Sequence, residues 1–194
     1  YIRVALLLAF AAIIPLAITL IFSEWYTRPA LITQANTNMQ SDAKTRVQLI
    51  QTYFNERELD TQTLAQVPSG QTYINEPFGT IDLEGQKHAF YTLGAGAYRD
   101  KNYTNWSMFD TQGRLRLSYP QAPGRHGQYL VPPTYQKEVA TGKTFVSDVY
   151  FDPKSGAETV DLYSPMLASL DSGISPPKRY LGFIRATLKL DYIL

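Results

Sequence analysis

The feature that limits this chain most is an uncharged run from Val4 to Ser23, twenty residues made mainly of Leu, Ile, Ala, Val and Phe. As a helix rising about 1.5 Å per residue it is about 30 Å long, the thickness of a bilayer's hydrocarbon core. Such a segment must be covered by lipid or by a protein interior. Arg3 precedes it, and Trp25 and Tyr26 follow it, where interfacial residues belong. A cleaved signal or a buried core helix are the other ways to cover it. A signal usually has a shorter apolar region and a small-residue cleavage site, and nothing after Ile21 resembles one. Pro15 lies inside the run, which packing in a membrane tolerates. An uncleaved transmembrane helix is therefore predicted over residues 4–22, with Arg3 hinting that the N-terminus is inside. The chain opens on Tyr1 rather than Met, as a piece lacking cytoplasmic residues would.

About 170 of the 194 residues remain, enough for one domain with a sizeable core. A formal net charge of +1 lacks the electrostatic footprint of a nucleic-acid binder. The absence of cysteine excludes a disulfide framework and a zinc–thiolate site.

Thr27 and Pro29 can cap and open a second helix. Apolar residues then recur at Ile32, Ala35, Met39, Ala43, Val47, Ile50 and Phe54, a narrow stripe of helical period. Leu59, Leu64 and Ala65 can continue it until Pro68, Ser69 and Gly70 end it. A helix of about 35–40 residues is about 55–60 Å long, more than a compact domain needs. Its stripe can be core within one subunit. It can also be divided, with Val47, Ile50 and Phe54 under a sheet and Ile32 to Met39 against a twin helix. Asp82 to Tyr91 reads as a short helix. Beyond Tyr103 the texture changes to short β-rich runs between turns. Strands are predicted at Asn105–Asp110, Arg114–Tyr119, Thr144–Phe151, Thr159–Met166 and Tyr180–Leu190. The turns are Asp110-Thr111-Gln112-Gly113 and Asp152-Pro153-Lys154-Ser155-Gly156. A Pro-rich loop spans Pro120–Pro133, a short helix Tyr135–Ala140, and a polar loop carries Gly173, Pro176 and Pro177. The fold class is α+β: a transmembrane helix (1–23), a long helix (24–68) and a five-stranded antiparallel module (69–194), with 24–194 forming one domain.

Catalytic chemistry is missing. His88 and His126 have no second ligand one helical turn away, and they read as solvated or core-edge residues. There is no nucleophile elbow, phosphate-cradling loop or metalloprotease helix. Gly94-Ala95-Gly96 reads as a flexible loop. Asp110, Asp152 and Asp171 sit where turns want Asp. No catalytic residue, metal or cofactor is expected.

The order of these elements resembles the Cache domains, PAS-like sensor modules of bacterial receptors. The resemblance rests on Trp106–Gly113 (WSMFDTQG), Gly142–Pro153 (GKTFVSDVYFDP), Val160–Pro165 (VDLYSP) and Leu181–Leu190 (LGFIRATLKL). It covers most of the chain after residue 100, and the long helix extends it. It implies an extracytoplasmic ligand-sensing domain of a membrane-bound receptor such as a histidine kinase or chemotaxis transducer. The family's amino-acid-binding branch uses an Arg-x-Trp-Tyr cluster, a later Tyr and an Asp on the closing strand. Here Tyr135 and Tyr150 match the tyrosines, while Pro132, Thr134 and Thr187 stand at the Arg, Trp and Asp positions. The charged anchors that hold a ligand's carboxylate and ammonium are gone, so common α-amino acids are not expected to bind tightly.

Strand alternation puts Trp106, Met108 and Asp110 on one face, and Ser107 and Phe109 on the other. Phe145, Ser147, Val149 and Phe151 likewise oppose Asp148 and Tyr150. The candidate ligand-lining residues are Trp106, Met108, Tyr135, Asp148, Tyr150, Tyr163 and Arg185, with Arg185 the best partner for an anionic group. The expected partners are a small-molecule ligand, a membrane and a second copy paired through the long helix. A ligand-free structural or dimerisation module is the competing reading.

Overall fold

The computed structural model describes residues 2–80, 82–153, 155–168 and 179–191. The polar loop expected at Gly173, Pro176 and Pro177 lies outside the described residues, as do Asp171 and Lys154. The chain divides into two compact units, Tyr1–Gln51 and Thr52–Leu194.

In the first unit, α1 (Ile2–Phe22) runs through a single π turn (Ser23–Thr27) into α2 (Arg28–Ala65). Thr27 and Pro29 therefore do not open a new helix. Pro29 has no N–H, and its ring crowds the carbonyl four residues back. Widening the preceding turn accommodates it: the Arg28 N–H reaches the Ser23 carbonyl while Arg28 stays helical, at φ −64° and ψ −47°. The side chains of residues 10–49 are all exposed. Among the described residues, one helical stretch, Phe10–Ala65, contains a window long and apolar enough to cross a bilayer, with mean hydropathy 1.5.

In the second unit, the last turns of α2 supply Thr61, Leu64 and Ala65 to the core, with Tyr53 and Phe54 packed at its rim. Packing starts later along the stripe than its period suggests: Val47 is 52% exposed. A continuous period cannot mark where its cover begins. That boundary is set by a polar clamp. Arg57 pairs with Asp60 at 3.0 Å and Asp100 at 3.5 Å, and the Tyr53 hydroxyl donates to Asp100 at 3.0 Å.

Helix α2 ends at Ala65, and Pro68 opens α3 (Pro68–Asn75) rather than closing the helix before it, since Pro suits a first helical turn. Helix α4 (Leu83–Ala97) runs past the expected Tyr91 and through Gly94-Ala95-Gly96. These glycines serve close packing, not a loop. A Cβ on Gly96 would stand 2.5 Å from Leu64 and 3.1 Å from the Trp106 ring.

The strands are β1 (Tyr103–Asp110), β2 (Leu115–Tyr119), β3 (Phe145–Val146), β4 (Tyr150–Phe151), β5 (Glu158–Ala168) and β6 (Arg179–Lys189), with α5 (Pro133–Ala140) between β2 and β3. Their order is β2-β1-β6-β5-β3, with β4 also on β5, and every pairing is antiparallel. The expected third strand is therefore broken in two. At the break Ser147 bonds Asp161 twice: its N–H donates to the Asp161 carbonyl at 2.8 Å, and its hydroxyl accepts the Asp161 N–H at 2.9 Å. A side chain has replaced a ladder carbonyl, and regular pairing stops there.

The sheet is covered on both faces. On one, α2, α3 and α4 enclose Leu64, Ile74, Leu93, Trp106, Met108, Leu162, Ile184 and Leu188. On the other, α5 and the loop before it cover Phe109, Leu115, Tyr163 and Phe183.

Candidate functional site

The second face is half aromatic and half polar. Cross-strand register builds it in rows, because residues opposite each other on neighbouring strands share a face. One row runs Ser107, Arg185, Tyr163, Phe145 from β1 through β6 and β5 to β3. The next runs Asn105, Thr187, Asp161. Toward α5 the rings close ranks: Phe145 stacks on Tyr163 at 5.1 Å, Phe109 on Phe183 at 4.9 Å, and Tyr135 lies 5.5 Å from Tyr163.

Asp161 is the hub of the polar half. Its carboxylate accepts hydroxyls from Thr187 at 2.6 Å, Tyr150 at 3.1 Å and Tyr163 at 3.3 Å. Burial pushes the Tyr150 and Tyr163 phenols up from their ordinary pKa, and the nearby Asp161 charge adds to it, so both stay protonated donors. Arg185 stands beside the hub with Nη1 4.0 Å from Asp161 Oδ2, its guanidinium 5.2 Å from the Phe109 ring centre. Its Nε is buried without a partner. A cavity of about 780 Å³ opens here, lined by Asn105, Ser107, Tyr150, Arg185, Thr187 and the Pro120–Pro123 segment.

The structure divides the seven sequence candidates. Tyr150, Tyr163 and Arg185 meet around Asp161. Tyr135 and Asp148 join at the periphery, where the Tyr135 hydroxyl donates to Asp148 at 3.4 Å. Trp106 and Met108 lie on the helix side of the sheet, both 0% exposed, with no surface left for a ligand. The resemblance had placed them in the right strand but could not say which of its faces the long helices cover. Asp161 is the residue that sequence reasoning passed over. Its signal is a lone carboxylate inside the apolar run Val160–Tyr163, two residues from a tyrosine on the same face.

Chemically the site offers a partly free guanidinium, phenols and small hydroxyls around a roomy cavity. Asp161 is already engaged by three hydroxyl donors. The arrangement suits binding a small molecule bearing an anionic group, since Arg forms its strongest hydrogen bonds to carboxylate and phosphate oxygens.

No family model matches the sequence, and no curated protein matches it significantly. The structure, however, is similar to solved sensory domains. One is that of the Campylobacter jejuni chemoreceptor Tlp3 with isoleucine bound (TM-score 0.59, 14% identity, 87% of this chain and 65% of that one). Another is the ligand-binding domain of the Pseudomonas fluorescens chemoreceptor CtaA with L-isoleucine (TM-score 0.56, 17% identity, 86% and 61%). A third is that of the Pseudomonas aeruginosa amino-acid chemoreceptor PctC with GABA (TM-score 0.54, 13% identity, 81% and 62%). This chain spans less than two thirds of the length of each. At these identities the likeness speaks for architecture, and the chain has the fold of the ligand-binding sensory domains of bacterial chemoreceptors.

Proposed function

We propose that this chain is the outward-facing, ligand-sensing part of a membrane-bound signal-transduction receptor, with a small carboxylate-bearing molecule held beside Arg185. One observation carries the reading: Arg185 has a buried Nε without a partner and lines a cavity of about 780 Å³. A cavity of that size is ordinary for a small-molecule site. The fold of the solved chemoreceptor domains supports it. The three hydroxyls on Asp161 argue against a common α-amino acid, whose ammonium would have to displace them.

The rest of the chain fits the same reading. The apolar segment up to residue 23 forms the membrane anchor, and α2 continues from it to Ala65, where its last turns join the sensor module that α3 continues. The exposed stripe of Ile32, Ala35 and Met39 pairs with a second copy. Catalytic output, if any, belongs to a cytoplasmic region outside these residues.

Calorimetry on the full chain in detergent micelles tests the site, using small mono- and dicarboxylates beside a panel of α-amino acids. At least one carboxylate should bind. Arg185→Gln should weaken it by roughly tenfold or more, the loss expected for a hydrogen bond to a charged group. No heat from any carboxylate, or undiminished binding by Arg185→Gln, would reject the assignment and favour a ligand-free dimerisation module. The pairing of α2 has its own check. Cysteines placed one at a time along residues 32–43 should cross-link two copies in membranes, and Met39→Glu should suppress that. Cross-linking indifferent to Met39→Glu would move the seam elsewhere.

A further inference from the structure

Arg116 is a charge held almost out of water, 4% exposed. It occupies the place that the β1–β2 register skips, since Met108 pairs with Leu117 and Phe109 with Leu115. A bulge of this kind re-aims a side chain. Here the guanidinium reaches α3 and the α3–α4 connection, 5.4 Å from the Tyr73 ring centre and 5.6 Å from that of Phe78. It donates through Nη1 to the Glu76 carbonyl at 3.0 Å, while its Nε is buried with no partner. Among the described residues no carboxylate lies within 4.0 Å of it. Asp110 on the neighbouring strand is committed elsewhere. It accepts Arg114 Nε at 2.8 Å and the backbone N–H groups of Gln112 and Arg114. A buried guanidinium with five fixed donors and this little to bond is costly unless an anion completes it.

Space for that anion is present. Cavities of about 300 Å³ and about 260 Å³ both take Arg116 as a wall, and neither shares a residue with the cavity beside Arg185. On the walls of the larger one, Arg114, Arg116 and Arg179 face Glu76 and Asp110, an excess of one positive charge. Asp82 stands on the wall of the smaller one. Phe78 roofs the place and is itself held. The Arg114 guanidinium sits 4.4 Å from its ring centre, His126 stacks on it at 5.1 Å, and a Cβ on Gly127 (φ +80°) would come within 2.9 Å of it.

We infer that Arg116 anchors a second binding site, for a small singly charged oxyanion such as a carboxylate or a monobasic phosphate, beneath the Phe78 ring. The guest bonds the outer N–H groups of the Arg116 guanidinium that walls these cavities, in the fork geometry that arginine offers to oxyanions.

Melting of the full chain in micelles tests this, carried out in the Arg185→Gln background so that the other cavity does not contribute. Acetate or inorganic phosphate, at about ten times its Kd, should raise Tm by about 3–6 °C. Chloride at equal ionic strength should not. A response to acetate alone identifies an organic carboxylate as the guest, and a response to phosphate alone a phosphate group. Arg116→Met should abolish the shift. Arg116→Lys keeps the charge for a chain that Met destabilises, and should weaken binding roughly tenfold through loss of the fork. Equal shifts with chloride, no shift with either oxyanion, or an undiminished response in Arg116→Lys would overturn the site.

Discussion

A Gly182→Val chain should lose roughly 3–5 kcal/mol of folding free energy, the sum of a strained backbone and an overpacked contact. Gly182 sits in β6, opposite Asp110 of β1 and Met166 of β5. Its φ of +146° is one that side chains rarely adopt, and a Cβ there would fall 2.1 Å from the Phe109 carbonyl oxygen. Backbone cannot step aside inside a ladder bonded on both flanks. Urea unfolding followed by tryptophan emission reads the effect, because Trp106 is fully buried in the same sheet. Gly124→Ala is the control: its φ of +73° is also unfavourable, but nothing stands within 4 Å. It should cost only about 1 kcal/mol. Equal midpoints for the two variants would contradict the close approach of β1 to β6.

The second large effect is alkaline. Burial is the main cause raising the phenol pKa of Tyr103, Tyr163 and Tyr180, helped by the charges of Asp60, Asp161 and Asp110 respectively; Arg57 and Arg185 partly oppose it at the first two. In the unfolded chain each phenol loses its proton near 10.0, while the folded one keeps it. Above that pH the native state binds more protons than the unfolded state, so stability falls as pH rises. Below it both states are protonated and the contribution is complete. Each fully shifted tyrosine removes about 1.4 kcal/mol per pH unit, so three together remove about 4 kcal/mol per unit above pH 10. Tyr150 is left aside because it is more than a third exposed. Urea midpoints at a series of pH values from 8 to 11 should be level at first and then drop steeply. Tyr163→Phe should make that drop shallower by about a third, in proportion to the phenol removed. A level profile through pH 11 would mean that these phenols titrate as they do in water.

The fold was readable where local chemistry acts alone. Asp110 and Gly113 made the β1–β2 turn, where Gly113 donates to the Asp110 carbonyl at 2.9 Å. The β-rich runs became strands within a few residues of their predicted bounds. What the sequence withheld depended on contacts from afar. Gly94 and Gly96 look like a loop until Tyr119, Leu64 and Trp106 press against them. Pro68 looks like a stop until α3 begins on it. The strand expected at Thr144–Phe151 breaks because Ser147 bonds a residue fourteen positions away. The site was half legible for the same reason. Tyr163 and Arg185 declared themselves as polar tips in apolar strands, and Tyr150 through the resemblance. Asp161 gains its meaning only from register, which sets it opposite Thr187, the position where the resemblance had looked for an aspartate. The carboxylate is present one strand over, already hydrogen-bonded.

The two margins of the sheet carry a consequence for how copies behave side by side. On the β2 margin, Leu115 donates to Gln128 at 2.9 Å and accepts from Gly127 at 2.8 Å, and Arg114 bridges Tyr129. Its own loop occupies that rim, and Pro120 follows the strand. The opposite margin consists of two strands of two residues each, interrupted at Ser147–Val149, and of the short end of β5 beyond them, Ser164–Ala168. Among the described residues, neither border offers the long row of free peptide groups on which a neighbour's strand could template. Crowded copies are thereby protected from edge-to-edge stitching of their sheets into fibrous aggregates, and association is left to helices and loops.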